Sequence, residues 1–130
     1  MQKVKYEFAH SGITVYNLET SIEFYTKNFG FEEIKKDDKP GLELKLAILQ
    51  LNNSQLELIQ HYKPKINPKM SEHEKSSLTT LLQKSHIALI TNDLPRAYNE
   101  LKNKGIEVRV FEKIFFCFDP DEFPIEIKQK

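Results

Sequence analysis

Apolar and polar residues form two similar series of strand and helix patterns along the chain, with a polar stretch between them. Strands alternate apolar and polar positions, whereas helices repeat apolar positions every three or four residues. The first series predicts strands at 10–16, 31–36, 42–51 and 55–60, and a helix at 18–29 that ends at Gly30. Turn residues at 37–41 and at 52–54 separate the later strands.

The second series follows a polar linker at 61–84, in which residues 78–82 could form one or two helical turns. It predicts strands at 86–91, 106–111, 114–118 and 125–128, and a helix at 94–104 that ends at Gly105. The lysine-rich part of the linker, 63–75, also contains acidic residues, so we interpret it as a solvated loop.

The two series are an internal repeat. When His10 is aligned with His86, Leu18 and Leu94 both lie eight residues downstream. Each series ends in a strand with a glutamate between apolar residues, at Glu57 and at Glu126. Both halves therefore fit a βαβββ module, although the second is shorter. We predict an α+β fold in one domain, 1–130, with module 1 at about 6–60, the linker at 61–84 and module 2 at about 85–130.

Composition excludes several classes of protein. Lys+Arg and Asp+Glu are both 19, so the formal net charge is zero, which argues against a nucleic-acid or membrane-surface binder. No apolar run approaches the length of a membrane span, and the first residues do not resemble a signal peptide. With one cysteine, Cys117, no intramolecular disulfide is possible. We expect a soluble, cytoplasmic protein that binds neither nucleic acid nor membrane.

Four polar residues share one side of the predicted sheets. Side chains alternate between the two faces of a strand, so apolar residues that pack under the helices leave their neighbours on the opposite face. His10 and His86 lie on that opposite face in the first strand of each module. Glu57 and Glu126 lie on it in the last strand of each module. If the modules form one curved sheet, these four side chains converge.

Two imidazoles and two carboxylates in one cleft would be costly as unpaired polar groups. A divalent ion resolves this cost, because imidazole nitrogens and carboxylate oxygens suit Zn, Ni, Co, Mn or Fe. The sequence thus predicts one divalent metal ion bound by His10, Glu57, His86 and Glu126. Each signal is weak alone, since a histidine in a strand is more often structural, but the repeat places the same pair twice.

Other reactive residues are interpreted as structural. His61 and His73 stand among polar linker residues and are expected at the surface, although His61 could reach a substrate. Cys117 lies in an apolar strand, so we expect an inert buried thiol. The phenylalanines at 111, 115, 116 and 118 alternate poorly, and the sequence does not indicate which of them face the core.

The sequence resembles the glyoxalase, bleomycin-resistance and ring-cleaving dioxygenase superfamily, whose members chelate vicinal oxygens. The matching segments are HSGITVYNLETSIEFYTKNFGF, LELIQ, HIALITNDLPRAYNELKNKGI and FDPDEFPIEI, which together extend over nearly the whole chain. The resemblance implies paired βαβββ modules that form a cupped mixed sheet around a metal, often in a homodimer. In some members the ligands come from two chains, and the sequence leaves this open.

Residue types distinguish the branches of this superfamily. The glyoxalase I branch uses His, Glu, His and Glu, which matches His10, Glu57, His86 and Glu126. Extradiol dioxygenases use two His and one Glu, which would be His10, His86 and Glu126, with iron. Members that sequester bleomycin bind their ligand without metal.

The four-ligand match implies a lactoylglutathione lyase-like enzyme, a metal-dependent lyase or isomerase. Its substrate would be a small α-oxygenated molecule, thiol-conjugated or free, that reacts through an enediolate. By the same resemblance, Glu126 is the preferred catalytic base and Glu57 its partner. The alternatives are a metal-free protein that sequesters a ligand or antibiotic, and an iron-dependent ring-cleaving dioxygenase.

Three departures from glyoxalase I limit the substrate. Two positions that contact glutathione in that branch carry Thr14 and His61 here. The usual DPDG turn ends in Glu122 instead of glycine, which predicts a different turn, because glycine tolerates a positive φ and glutamate does not. Only a tight turn at 112–113 joins the predicted strands 106–111 and 114–118, whereas relatives often carry a longer loop at this place. The pocket is then either more open or covered by the 61–84 linker.

Overall fold

Two four-stranded mixed sheets, each with a helix on one face, make up the computed structural model, which describes residues 2–66 and 68–130. The chain divides into two compact units, Met1–Lys65 and Ile66–Lys130. Each unit contains a strand, a helix and three further strands in this order, and in the second unit two short helices precede them. The predicted α+β fold of two βαβββ modules is confirmed.

The first unit consists of β1 (Ser11–Thr14), α1 (Leu18–Phe29), β2 (Glu32–Lys39), β3 (Leu44–Leu51) and β4 (Ser54–His61). Its sheet has the order β1-β4-β3-β2. The outer strand β1 runs parallel to β4, and the other neighbours are antiparallel. The first and last strands of the module are therefore adjacent.

Helix α1 packs on one face of the first sheet. Its start is capped by Asn17, whose side chain accepts a hydrogen bond from the Thr20 N–H at 3.0 Å. Its end is formed by Gly30 at φ 80°, a left-handed conformation that glycine adopts without strain. Tyr25 of the helix and Leu58 of β4 are fully buried between helix and sheet.

The second unit consists of α2 (Glu72–Lys75), α3 (Leu78–Gln83), β5 (Ile87–Thr91), α4 (Leu94–Asn103), β6 (Val108–Phe111), β7 (Ile114–Phe118) and β8 (Pro124–Gln129). Its sheet has the order β5-β8-β7-β6, with β5 parallel to β8. Helix α4 packs on the face that carries Phe115, whose ring lies 5.8 Å from that of Tyr98. Cys117, Ile125 and Ile127 are buried on the same face.

The structure departs most from the prediction at the end of β2 and in the linker. Strand β2 continues through the predicted turn at 37–41 as far as Lys39, which pairs with Leu44, and the chain reverses in a 3-10 turn at Pro40–Leu42. Backbone hydrogen bonds to β3 outweigh the turn preference of the two aspartates there. The linker also forms two helices, of which only α3 was predicted. The prediction of a solvated loop at 63–75 is wrong for its last residues, because they form α2, in which Lys75 is buried.

The turn that ends in Glu122 was also predicted incorrectly. Glu122 adopts φ 62°, the left-handed conformation expected of glycine. Asp119 stabilises the turn, because its Oδ1 accepts hydrogen bonds from the N–H groups of Asp121 and Phe123, both at 2.8 Å. The Glu122 carboxylate adds contacts to Lys75 and to the Met70 N–H. These interactions offset the strain of a glutamate at positive φ.

Among the described residues, no helix combines the length and the apolar character needed to cross a membrane.

The cap of α1 gives a test of the fold. We expect Asn17→Ala to lower the free energy of unfolding by about 1 kcal/mol, because the Thr20 N–H loses its partner. Asn17→Asp, which keeps an acceptor oxygen, is the matched control and should stay near the wild-type value. Urea denaturation followed by circular dichroism measures both. Equal stability of the two variants would contradict the cap.

Candidate functional site

The first His–Glu pair lies across the parallel strands β1 and β4. Gly12 of β1 is opposite Glu57 of β4, and His10 precedes Gly12 by two residues, on the same face. His10 Nε2 lies 3.5 Å from Glu57 Oε1, with 40% and 19% of the two side chains exposed. A Cβ at position 12 would lie 3.6 Å from the same carboxylate oxygen. Glycine therefore leaves the space beside Glu57 open.

The second pair occupies the equivalent place across β5 and β8. Ala88 is opposite Glu126, and His86 precedes Ala88 by two residues. His86 Nε2 lies 3.6 Å from Glu126 Oε1, with 22% and 7% of the side chains exposed. The two modules thus build the same pair with nearly the same separation, and the second pair is the more buried.

The His86 ring is oriented by a backbone hydrogen bond. Its Nδ1 lies 2.7 Å from the carbonyl oxygen of Lys84, which can only accept, so Nδ1 carries the proton. In the neutral imidazole, Nε2 then presents its lone pair on the side of Glu126. A second-sphere bond of this kind is typical of histidines that bind metals. The Phe116 ring packs edge-on against the imidazole, with the ring centroids 5.8 Å apart.

Glu126 is a nearly buried carboxylate in apolar surroundings. It is opposite the fully buried Phe116 in the β7–β8 ladder, and Lys128 Nζ lies 3.7 Å from its Oε2. Half of the Lys128 side chain is exposed, so this ion pair is screened by solvent. Burial of a carboxylate is costly unless a cation or hydrogen-bond donors compensate it. A cation beside Glu126 would supply that compensation.

The four predicted ligands thus lie in two pairs, each within its own unit. In the part of the chain that the structure describes, no group of three or more His, Cys, Asp or Glu side chains is close enough to hold a metal ion. His61 ends β4 and is exposed, and so is His73 in α2, as predicted for both. Thr14 is exposed on β1.

Cys117 is fully buried in β7. Burial, with a smaller contribution from Asp119, raises the pKa of its thiol to about 12. A thiol that stays protonated cannot serve as a nucleophile near neutral pH. The predicted burial of this cysteine is confirmed, and the raised pKa agrees with an inert thiol.

The sequence did not assign the aromatic residues of β7. Phe115 and Cys117 lie under α4, whereas Phe116 and Phe118 lie on the face of Glu126 and pack with Leu81 of α3. The linker therefore covers part of the face that carries the second pair. The sequence does not give the register that places Phe116 opposite Glu126. A turn separates β7 from β8, and its length decides which phenylalanines share the face of Glu126.

Residues 7–127 match the model of the Glyoxalase/Bleomycin resistance protein/Dioxygenase superfamily, and the chain belongs to this superfamily. No curated protein matches the chain.

Solved structures share the fold. The trypanothione-dependent glyoxalase I of Leishmania major has a TM-score of 0.78 at 23% identity, over 96% of this chain and 87% of that one. A glyoxalase family protein from Enterococcus faecalis has a TM-score of 0.72 at 25% identity, over 94% and 96%. A fosfomycin resistance protein from Listeria monocytogenes has a TM-score of 0.69 at 15% identity, over 95% and 91%. These structures are similar in fold, with different activities in their names.

The state of Cys117 can be tested with a thiol reagent. Because its pKa is about 12, we expect almost no thiolate at pH 8, and the side chain is also inaccessible. The folded protein should react with Ellman's reagent only on the time scale of unfolding, whereas protein in urea should release one equivalent of product at once. Rapid stoichiometric labelling of the folded protein would contradict the burial.

Proposed function

We propose that the protein is a metal-dependent lyase or isomerase of the glyoxalase type, which binds one divalent ion through His10, Glu57, His86 and Glu126. The proposal includes a small α-oxygenated substrate and a homodimer, as the resemblance implies. The observation that carries it is the repeated pair. Both modules place a histidine Nε2 within 3.6 Å of a glutamate oxygen at the same position of the sheet.

The residues present fit a divalent metal ion. Two carboxylates balance its charge, and two neutral imidazoles complete a set of four ligands that Zn, Ni, Co, Mn and Fe accept. The hydrogen bond from His86 Nδ1 to the Lys84 carbonyl leaves Nε2 free to coordinate. When bound, such an ion stabilises negative charge that develops on neighbouring substrate oxygens.

The two glutamates differ in their surroundings, which suggests different roles. Only 7% of the Glu126 side chain is exposed, whereas 19% of the Glu57 side chain is. Water competes least for the more buried carboxylate. Glu126 is therefore the proposed base, which takes a proton from the substrate carbon beside the carbonyl group, and Glu57 is its partner.

Metal analysis tests the ligand set. We expect protein purified without chelator to contain about one transition-metal ion per chain, and His10→Gln, Glu57→Gln, His86→Gln and Glu126→Gln each to weaken metal binding by at least roughly tenfold. His61→Gln and His73→Gln, at exposed positions, are the matched controls and should bind metal like the wild type. Mass spectrometry of the metal content and titration of the metal-free protein supply the values.

Each deviating outcome of this series has a distinct meaning. Bound iron that is retained by Glu57→Gln would indicate the three-ligand pattern of a dioxygenase. Wild-type protein that neither contains nor takes up a divalent ion would contradict the proposal and favour a metal-free ligand-sequestering protein. Light scattering of the same samples measures whether the chain is a homodimer.

Turnover tests the role of Glu126. We expect isomerisation of the hemithioacetals that methylglyoxal forms with a panel of thiols, and a loss of kcat of roughly 100-fold or more in Glu126→Gln with metal bound. The thiol panel is needed because Thr14 and His61 stand where the glyoxalase I branch contacts glutathione. Glu126→Gln that keeps its metal and full turnover would contradict the proposed base.

A further inference from the structure

The segment that joins the modules folds onto the sheet face that carries the second His–Glu pair. Arg109 of β6 is opposite Phe116 of β7, and Phe116 is opposite Glu126 of β8, so these three side chains share one face. Leu81 of α3 packs there against Phe116 and Phe118, and the partly buried Met70, Leu78, Phe111 and Ile114 pack around them. Helices α2 and α3 thus cover the β6–β7 part of the face, beside His86 and Glu126.

A group of ion pairs joins this part of the linker to the second sheet and its turns. Lys75 of α2 is buried, and its Nζ lies 2.9 Å from Glu107 Oε1 and 3.0 Å from Glu122 Oε1. The ammonium group also lies 5.5 Å from the centre of the Phe118 ring. Arg109 Nη2 contacts Glu72 at 2.6 Å and Glu107 at 2.7 Å. Helix α2, strands β6 and β7 and the turn that contains Glu122 therefore meet at Lys75 and its partners.

Lys75 is the buried member of this group, which makes its loss costly. The hydrogen bond to Glu107 raises the pKa of the ammonium, and the bond to Glu122 adds to this, although burial acts in the opposite direction. Removal of Lys75 would leave the Glu122 carboxylate, of which 21% is exposed, without its ion-pair partner, and would leave Glu107 with Arg109 alone. We expect the contact between α2 and the sheet to loosen.

The same segment ends at the group that orients His86. Leu81 is fully buried, and its carbonyl oxygen accepts the Lys84 N–H at 3.2 Å. The Lys84 side chain reaches back to α2, with its Nζ 3.1 Å from Glu74 Oε2. The Lys84 carbonyl then accepts the His86 Nδ1 proton at 2.7 Å. The position of that carbonyl consequently depends on how α2 and α3 lie on the sheet.

We propose that Lys75 is a positioning residue for His86. Its ion pairs with Glu107 and Glu122 hold α2 and α3 on the sheet, and these helices fix the Lys84 carbonyl that sets the tautomer and direction of the imidazole. The consequence for metal affinity rests on the proposed function, whereas the effect on the imidazole does not. Lys75 touches neither His86 nor Glu126, so it acts through the segment alone.

The decisive experiment compares Lys75→Met with wild type in the full-length, metal-free protein. Long-range ¹H–¹⁵N spectra at a pH where imidazoles are neutral report which ring nitrogen of His86 carries the proton, and His86→Gln assigns the signal. We expect proton on Nδ1 in the wild type, and a mixture of tautomers in Lys75→Met. Titration with Zn²⁺ should show a Kd roughly 10- to 100-fold weaker in the variant.

Matched variants separate positioning from general loss of structure. Lys104→Met removes an exposed lysine of the same unit and should leave tautomer and Kd unchanged. Lys75→Arg keeps the cation, so we expect its His86 tautomer and its Kd for Zn²⁺ to lie close to the wild-type values. If circular dichroism shows that Lys75→Met does not fold, Glu122→Gln takes its place, because it removes one of the two carboxylates that pair with Lys75. We then expect a smaller change of the tautomer and of the Kd in the same direction.

The outcomes are distinct. A folded Lys75→Met, or Glu122→Gln in its place, that keeps the wild-type His86 tautomer would overturn the inference. If the wild type binds neither Zn²⁺ nor Ni²⁺, Co²⁺, Mn²⁺ or Fe²⁺, the proposed function fails, and the tautomer spectra still decide whether Lys75 positions His86.

Discussion

The parallel pairing of the first and last strands of each module is the constraint on which the rest of the structure depends. It places Gly12 opposite Glu57 and Ala88 opposite Glu126, and so brings each glutamate beside a histidine that is distant in sequence. A shift of the register by one residue would turn the glutamate toward the helix face. The pairs therefore exist only as long as this register holds.

The register is fixed by the apolar neighbours of the same glutamates. Leu56 and Leu58 flank Glu57, and Ile125 and Ile127 flank Glu126; all four are buried. Full burial of such a side chain contributes about 1.5–3 kcal/mol, so a slipped strand would expose two of them and bury a charge instead. Core packing and site geometry thus depend on the same three-residue segments, one at the end of each module.

Sequence patterns predicted the strands and the helices α1, α3 and α4, because these features are local or repeated. The repeat also singled out the candidate ligands, which the structure brings together as two pairs. Period-two alternation defines a face wherever one side of a strand is buried, and Gly30 marks the end of α1 by its own chemistry. The extension of β2, the buried Lys75 and the left-handed Glu122 could not be predicted, because each depends on partners from another element. The four-ligand metal centre remains a prediction.

Equivalent positions in the two modules have acquired unequal surroundings. His10 follows residues 2–9, which form neither helix nor strand, and 40% of its side chain is exposed. His86 follows α3 and is held at Nδ1 by the Lys84 carbonyl, with 22% exposed. The second imidazole is thereby pre-oriented, whereas the first has more contact with water. The difference between the two pairs therefore arises from the residues that precede each first strand, and for His86 these belong to the linker, outside both βαβββ modules.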